Sequence, residues 1–179
     1  IFVETTTTGV YGTPDFNINE GFNILNKNPI PFHNLGGSWY HISKSNDCNY
    51  LWLANRLWGL TVIDFRTAIT LGLNTSETKL SKKFLNRFDY DFYFGVVANK
   101  FIIRSIHNKK IEIYGKGKQK KPFIDLQDVV DSLFNVINFK GNKKFNVFNQ
   151  FSETISITQI TNWIKAVSYT HLTLPTTSS

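Results

Sequence analysis

Tyr40 and Lys44 stand four residues apart, just behind Ser38, in a stretch whose pattern is helical. Residues i and i+4 of a helix project from one face about one turn apart, so a phenol and an ammonium placed there can act on one substrate. A phenol ordinarily titrates near ~10, and an ammonium beside it favours the phenolate, which suits such a pair to taking the proton of an alcohol. Thr7 offers a third group. It follows the apolar Ile1 to Val3 run, at the strand end where parallel sheets place ligands, and its hydroxyl could hold that alcohol in line. Tyr-x-x-x-Lys by itself is common on solvated helices. What gives it weight is the order strand, Thr run, long loop, helix headed by the motif, and a second strand.

Several elements must position these groups. Ser38 predicts an N-cap and Gly59 a stop for a helix to Trp58, with Tyr50, Leu51, Ala54, Leu57 and Trp58 at helical spacing. Before it, residues 15–37 are rich in Asn, Pro and Gly and read as a long surface loop after the turn signals of Gly9 and Gly12 to Pro14. A strand is expected from Leu60 through Ile63 toward Leu71, ended by Gly72, then a polar stretch over 73–91 with a short helical piece. A helix over Phe94 to His107 would bury Val97, Phe101 and Ile106. A short strand is expected at Ile111 to Tyr114, followed by the basic Gly115 to Lys121 loop and the Phe123-Ile124 strand. Asp125 caps a helix whose Val130, Leu133, Phe134 and Ile137 share a face. Phe145 to Phe148 is a strand, and Ser156 with Gln159 forms a capping box for a last helix carrying Ile160, Trp163 and Ile164. This alternation predicts an α/β fold with a parallel sheet.

A 179-residue chain with 41% hydrophobic residues can bury one core of ordinary size. Its single cysteine, Cys48, cannot form an internal disulfide, and no Cys/His spacing suits a structural metal, so a reducing compartment is expected and no metal site. No apolar run has the length of a membrane span, which predicts a soluble protein without membrane insertion. The net charge of +7 suits an anionic partner, either a nucleic acid or a diphosphate-bearing small molecule. No nucleic-acid partner is expected, because Phe and Trp fall mostly on apolar helix faces instead of interleaving with basic residues. No Gly-x-Gly-x-x-Gly turn follows a first strand, so the phosphate-gripping half of a dinucleotide fold is expected upstream of Ile1. The stretch from Val167 to Thr176 carries no charged residue and matches a translation of a sequencing adapter, so residues 167–179 are set apart as an artefact.

The wording of particular blocks is more specific. Tyr11-Gly12-Thr13-Pro14, Trp39-Tyr40-His41-Ile42-Ser43-Lys44, Asn86-Arg87-Phe88-Asp89-Tyr90-Asp91 with Gly95, Ile113-Tyr114-Gly115-Lys116-Gly117 and Val147-Phe148-Asn149-Gln150-Phe151 resemble the UDP-sulfoquinovose synthase family of extended short-chain dehydrogenase/reductases. The resemblance runs from residue 1 to about residue 166. It implies the C-terminal part of a Rossmann-type parallel sheet plus a small substrate-binding subdomain: residues 1–72 as the second half of the NAD-binding domain and 73–166 as the nucleotide-sugar region.

The resemblance also implies an activity. NAD oxidises the 4-hydroxyl of UDP-glucose, the ketone acidifies the C5 proton, the 6-hydroxyl leaves as water, a sulfite donor adds at C6, and the hydride returns. Thr7, Tyr40 and Lys44 would be catalytic, Tyr40, Lys44, Thr67 and Ile69 would contact NAD, and His41, Arg87, Lys121 and Gln150 would contact the substrate. His41 is also a candidate proton relay, and Lys116 to Lys121 a candidate diphosphate grip. A homodimer is possible on the same resemblance, and the location would be the cytoplasm of a prokaryote or the stroma of a plastid. Two departures stand out. Thr8-Gly9-Val10 follows Thr7 where the family has Met-Gly-Glu, and Lys121 stands where relatives place an arginine. Other readings that use the same Tyr and Lys are a nucleotide-sugar 4-epimerase, a 4,6-dehydratase, or a catalytically silent NAD-sensing or nucleic-acid-associated member of the fold.

Overall fold

The computed structural model describes residues 1–12, 18–25, 28–34, 36–92 and 94–172. In chain order its elements are β1 (Phe2–Thr7), a 3-10 turn (Thr8–Tyr11), β2 (Phe22–Leu25), β3 (Asn28–Pro31), α1 (Trp39–Trp58), β4 (Val62–Thr67) and β5 (Ile69–Leu71). There follow a 3-10 turn (Lys82–Phe84), α2 (Val97–Ile106), β6 (Lys120–Asp125), α3 (Leu126–Ile137), β7 (Phe145–Gln150), β8 (Glu153–Ser156) and α4 (Ile157–Leu172). Thr13 and Pro14 of the first motif, and residues 173–179, lie outside the described residues.

The strands form an all-parallel sheet in the order β1-β4-β7, a β2-β3 hairpin, and a mixed sheet in the order β5-β6-β8. Parallel pairing needs crossovers, and α1 supplies the one between β1 and β4. β4 is central and buried from Val62 to Arg66, the burial a parallel strand covered on both faces should show. Register places Thr7, Thr67 and Gln150 side by side at the C-terminal end of the sheet. In-register neighbours share a face, so Glu4 and Thr6 of β1 lie with Asp64 and Arg66 of β4.

Two apolar clusters hold the layers. Val62, Phe145 and Val147 pack with Leu51 and Trp52 of α1, while Ala98, Phe101, Phe123, Ile155, Ile157 and Ile160 join α2, α4 and the mixed sheet. Each large side chain buried this way contributes about 1.5–3 kcal/mol.

The caps form as the residue types require. Ser38 Oγ accepts from His41 N at 3.3 Å, Gly59 ends α1 at φ 62, and Asp125 Oδ1 accepts from Gln127 N at 2.8 Å. Ser156 and Gln159 bond reciprocally at 3.0 and 3.2 Å.

Other expectations are corrected. The Asn- and Pro-rich stretch holds the β2-β3 hairpin, with Pro29 and Pro31 in a strand of a two-stranded ribbon, where an edge tolerates proline. Ile111 to Tyr114 forms no strand, and Ile111 and Ile113 instead pack against the second cluster. Lys120 and Lys121 belong to β6 and not to the preceding loop, because they pair with Ser156 and Ile155 of the unforeseen β8. The strand expected from Leu60 to Leu71 breaks at Ala68 and continues in a different sheet. α2 begins only at Val97, and Ile106 is exposed. On α1, Tyr50, Leu57 and Trp58 face outward, as do Phe134 and Ile137 of α3. Helical spacing identifies a stripe without saying what covers it. α4 runs on to Leu172, into the segment set apart from the sequence.

Asp64 and Arg66 are both fully buried, with Arg66 Nε 3.2 Å from Asp64 Oδ2. Removing one member of such a pair leaves an uncompensated buried charge, so Arg66→Met is expected to cost about 3–5 kcal/mol in urea unfolding. The double variant Asp64→Asn with Arg66→Met should recover part of that loss.

Candidate active site

Thr7 is both the last residue of β1 and the cap of the turn behind it, its Oγ1 accepting from Gly9 N at 3.1 Å. Tyr40 lies in the first turn of α1, over half exposed, its ring meeting that of His41 edge-on at 5.4 Å. One turn on, Lys44 Nζ donates to Glu4 Oε1 at 3.0 Å and to the Thr5 carbonyl at 3.1 Å, with Asp47 Oδ2 at 3.6 Å. Thr7, Tyr40, Lys44 and Thr67 line one cavity of about 420 Å³. Thr5 and Thr70 add hydroxyls to its wall, and Ala68 with Val129 and Leu133 of α3 add apolar surface. Thr67 Oγ1 donates to Gln150 Oε1 at 2.6 Å, which extends the row one strand further.

The structure thus brings Thr7, Tyr40, Lys44 and Thr67 together and attaches Gln150 through Thr67. Ile69 packs instead against the cluster around Phe101 and Phe123. His41 Nδ1 sits 3.0 Å from Ser38 Oγ, its ring lies against Gly9, where a Cβ would overlap it, and Gly36 lies against the His41 Cβ and the backbone of His41 and Ile42. Arg87 is exposed and pairs with Asp89 at 2.6 Å, and Lys121 is exposed on β6; neither lines the cavity that holds Tyr40. Among the described residues no group of three or more His, Cys, Asp or Glu side chains could hold a metal, and no helix is long and apolar enough to cross a membrane.

Burial works to lower the Lys44 pKa, but the hydrogen bond and charge of Glu4, with Asp47 and Tyr40, outweigh it and leave the ammonium raised above its ordinary value. Below the cavity, burial and the Asp64 carboxylate push the Cys48 thiol up to about 12, so it serves as a donor to Asp64 Oδ2 at 3.4 Å and not as a nucleophile. His33 is lowered by burial and by Arg66, against the opposing pull of Asp64.

Sequence reasoning did not find Glu4, Thr70, Val129 or Leu133. A signal existed for Glu4: two-residue alternation puts it on the face of β1 that Thr6 uses to reach Asp64, toward the helix that carries Lys44.

With 20% or so of residues shared, solved structures give the fold. The chain superposes on a UDP-glucose 4-epimerase of Thermotoga maritima solved with UDP-glucose, with a TM-score of 0.66 and 21% identity, covering 94% of this chain and 47% of that one. A UDP-glucuronic acid 4-epimerase of Bacillus cereus, solved with UDP-glucuronic acid and NAD, gives 0.67 and 19%, covering 94% and 45%. No protein-family model matches the chain. The chain therefore has the α/β fold seen in these solved nucleotide-sugar epimerases. In sequence the chain is similar to UDP-sulfoquinovose synthase. It is 33% identical over 160 residues to the chloroplastic enzyme of Spinacia oleracea, covering 87% of this chain and 33% of that protein. It is 34% identical over 165 residues to the enzyme of Sulfolobus acidocaldarius, covering 89% and 42%. The chain therefore spans about a third to two fifths of the curated relatives it matches.

Gly9→Ala is expected to destabilise the chain by about 1–3 kcal/mol through overlap with the His41 ring. A thermal melt of the double variant Gly9→Ala with His41→Ala should show most of that loss recovered. Because His33 is lowered in the folded chain, its contribution is full above its ordinary value of 6.5 and is lost as pH falls through the folded value. Urea midpoints compared at about pH 7.5 and about pH 5 should fall less in His33→Gln than in the parent.

Proposed function

We propose that this chain carries the catalytic Tyr, Lys and Thr of a UDP-sulfoquinovose synthase-type enzyme acting on UDP-glucose with NAD and a sulfite donor. The observation that carries the proposal is the meeting of Thr7, Tyr40, Lys44 and Thr67 in one cavity at the ends of β1 and β4, in a chain whose curated relatives bear that name. The cavity fits the nicotinamide-ribose end of NAD. Its hydroxyls and ammonium suit a diol, and Ala68, Val129 and Leu133 suit a flat, partly apolar ring. When bound, NAD supplies reversible hydride acceptance.

The chain's own residues do the rest. Thr7 orients the sugar 4-hydroxyl, and the Tyr40 phenol takes its proton and later gives it back. The Lys44 ammonium favours the phenolate and donates to the ribose. Thr67, held by Gln150, fixes the cofactor side of the wall. His41, ring against Gly9, shapes the side where the sugar enters. In this proposal Ile69 also contacts the cofactor, Arg87 contacts the substrate or sulfite, and Lys121 contacts the diphosphate.

A 4-epimerase reading keeps the same first step. It is favoured by Val10, fully buried where the family has a carboxylate, which leaves no acid there to assist elimination. Incubating a protein that carries this sequence with UDP-glucose, NAD and sulfite separates the two. A sulfonated nucleotide sugar by mass is the expected product, lowered about a hundredfold or more by Tyr40→Phe. UDP-galactose with no sulfonated product would establish the epimerase instead.

A further inference from the structure

We propose that Glu4 is a positioning residue for Lys44, holding its ammonium against β1 so that a ligand diol entering the cavity must compete with a carboxylate of the protein itself. The inference rests on the reading of Lys44 as facing a ligand.

An ammonium has three protons to give. Glu4 Oε1 at 3.0 Å and the Thr5 carbonyl at 3.1 Å accept from Lys44 Nζ, and Asp47 Oδ2 stands at 3.6 Å. Its donors therefore face acceptors of this chain before any ligand arrives. The pairing with Glu4 is also the better shielded: the side chains of Lys44 and Glu4 are 24% and 23% exposed, against 43% for Asp47. Glu4 reaches the amine from a strand fixed by six register pairs with β4, whereas Asp47 reaches it along one flank of the helix.

The groups acting on Lys44 are Glu4 from β1 and Asp47 and Tyr40 from its own helix. Two carboxylates around one ammonium leave the cluster with net negative charge, so the field Lys44 presents to Tyr40 is weaker than that of an unpaired lysine. Glu4 thus lowers the ligand-free availability of Lys44 and keeps it charged. Replacing it by glutamine preserves an acceptor and removes the charge, which eases loss of the proton and weakens the contact that a hydroxyl ligand must displace.

The test is the rate at which a small acylating reagent modifies Lys44, followed by peptide mass on the whole chain with the other lysines as internal references. It needs neither cofactor nor turnover. At about pH 9 the Lys44 rate should rise about tenfold in Glu4→Gln relative to the parent, and Glu4→Asp should return it most of the way. Asp47→Asn should raise it by less. An unchanged Lys44 rate in Glu4→Gln, or a larger rise in Asp47→Asn, overturns the inference. If Glu4→Gln does not fold, as judged by tryptophan fluorescence, the comparison of Glu4→Asp with Asp47→Asn decides the matter alone. In a protein competent for the dinucleotide, Glu4→Gln should also bind NAD several-fold more tightly. A labelling shift without that gain counts against Lys44 as a cofactor contact and leaves its pairing with Glu4 standing.

Discussion

The Asp64–Arg66 pair is the constraint around which the remaining parts are arranged. Two opposite charges in the central strand, both without solvent, call for partners for their remaining hydrogen-bonding capacity, and all but Arg66 Nη2 find one among the described residues. Thr6 Oγ1 and Cys48 Sγ donate to Asp64, drawing β1 and α1 onto β4. Arg66 Nη1 donates to the Phe32 carbonyl at 2.5 Å, and the guanidinium lies 4.6 Å from the centre of the Tyr11 ring. Tyr11 passes the connection on, donating to Asn149 Oδ1 at 2.7 Å and accepting from Gly21 N at 2.9 Å, while Glu20 Oε1 accepts from Asn149 N at 2.5 Å. Contacts through Tyr11, Glu20 and Gly21 thereby tie the approach to the β2-β3 hairpin to the middle of the sheet.

That arrangement divides the labour between the two faces of the strands. Glu4, Thr6, Asp64 and Arg66 lie on the side of α1 and hold the layers, while Thr7, Thr67 and Gln150 form a row of polar groups on the other face at the strand ends. The Tyr40 and Lys44 pair on α1 is oriented by its own cap: Ser38 fixes the first turn through His41, the His41 ring fits only because Gly9 carries no side chain, and Gly36 leaves room for the backbone of that turn. A phenol more than half exposed is thus set on a rigid base.

Local signals were legible because they are local. A serine, aspartate or glycine at a helix end satisfies or releases backbone groups whatever lies beyond, so Ser38, Gly59, Asp125 and the Ser156-Gln159 box read correctly from the chain. The Tyr40–Lys44 spacing read correctly for the same reason. Tertiary choices were not legible. The β2-β3 hairpin lies in a stretch whose composition suggests only a loop, and β8 exists because β6 offers it an edge. Asp64 and Arg66 interrupt what would otherwise be an apolar strand, and their alternation could have signalled a buried pair, but their partners come from 58, 16 and 34 residues away. Glu4 escaped notice because nothing near it in sequence names Lys44 as its counterpart.

Ala68 alone joins β4 of one sheet to β5 of the other, is itself buried, and donates its N–H to the Gln150 carbonyl at 2.9 Å. Such a seam has no slack: one residue's two dihedrals, pinned from a neighbouring strand, set the angle between the sheets. The wall formed by Thr67 on one side of the joint and Thr70 on the other therefore spans two sheets across a single residue held from a neighbouring strand.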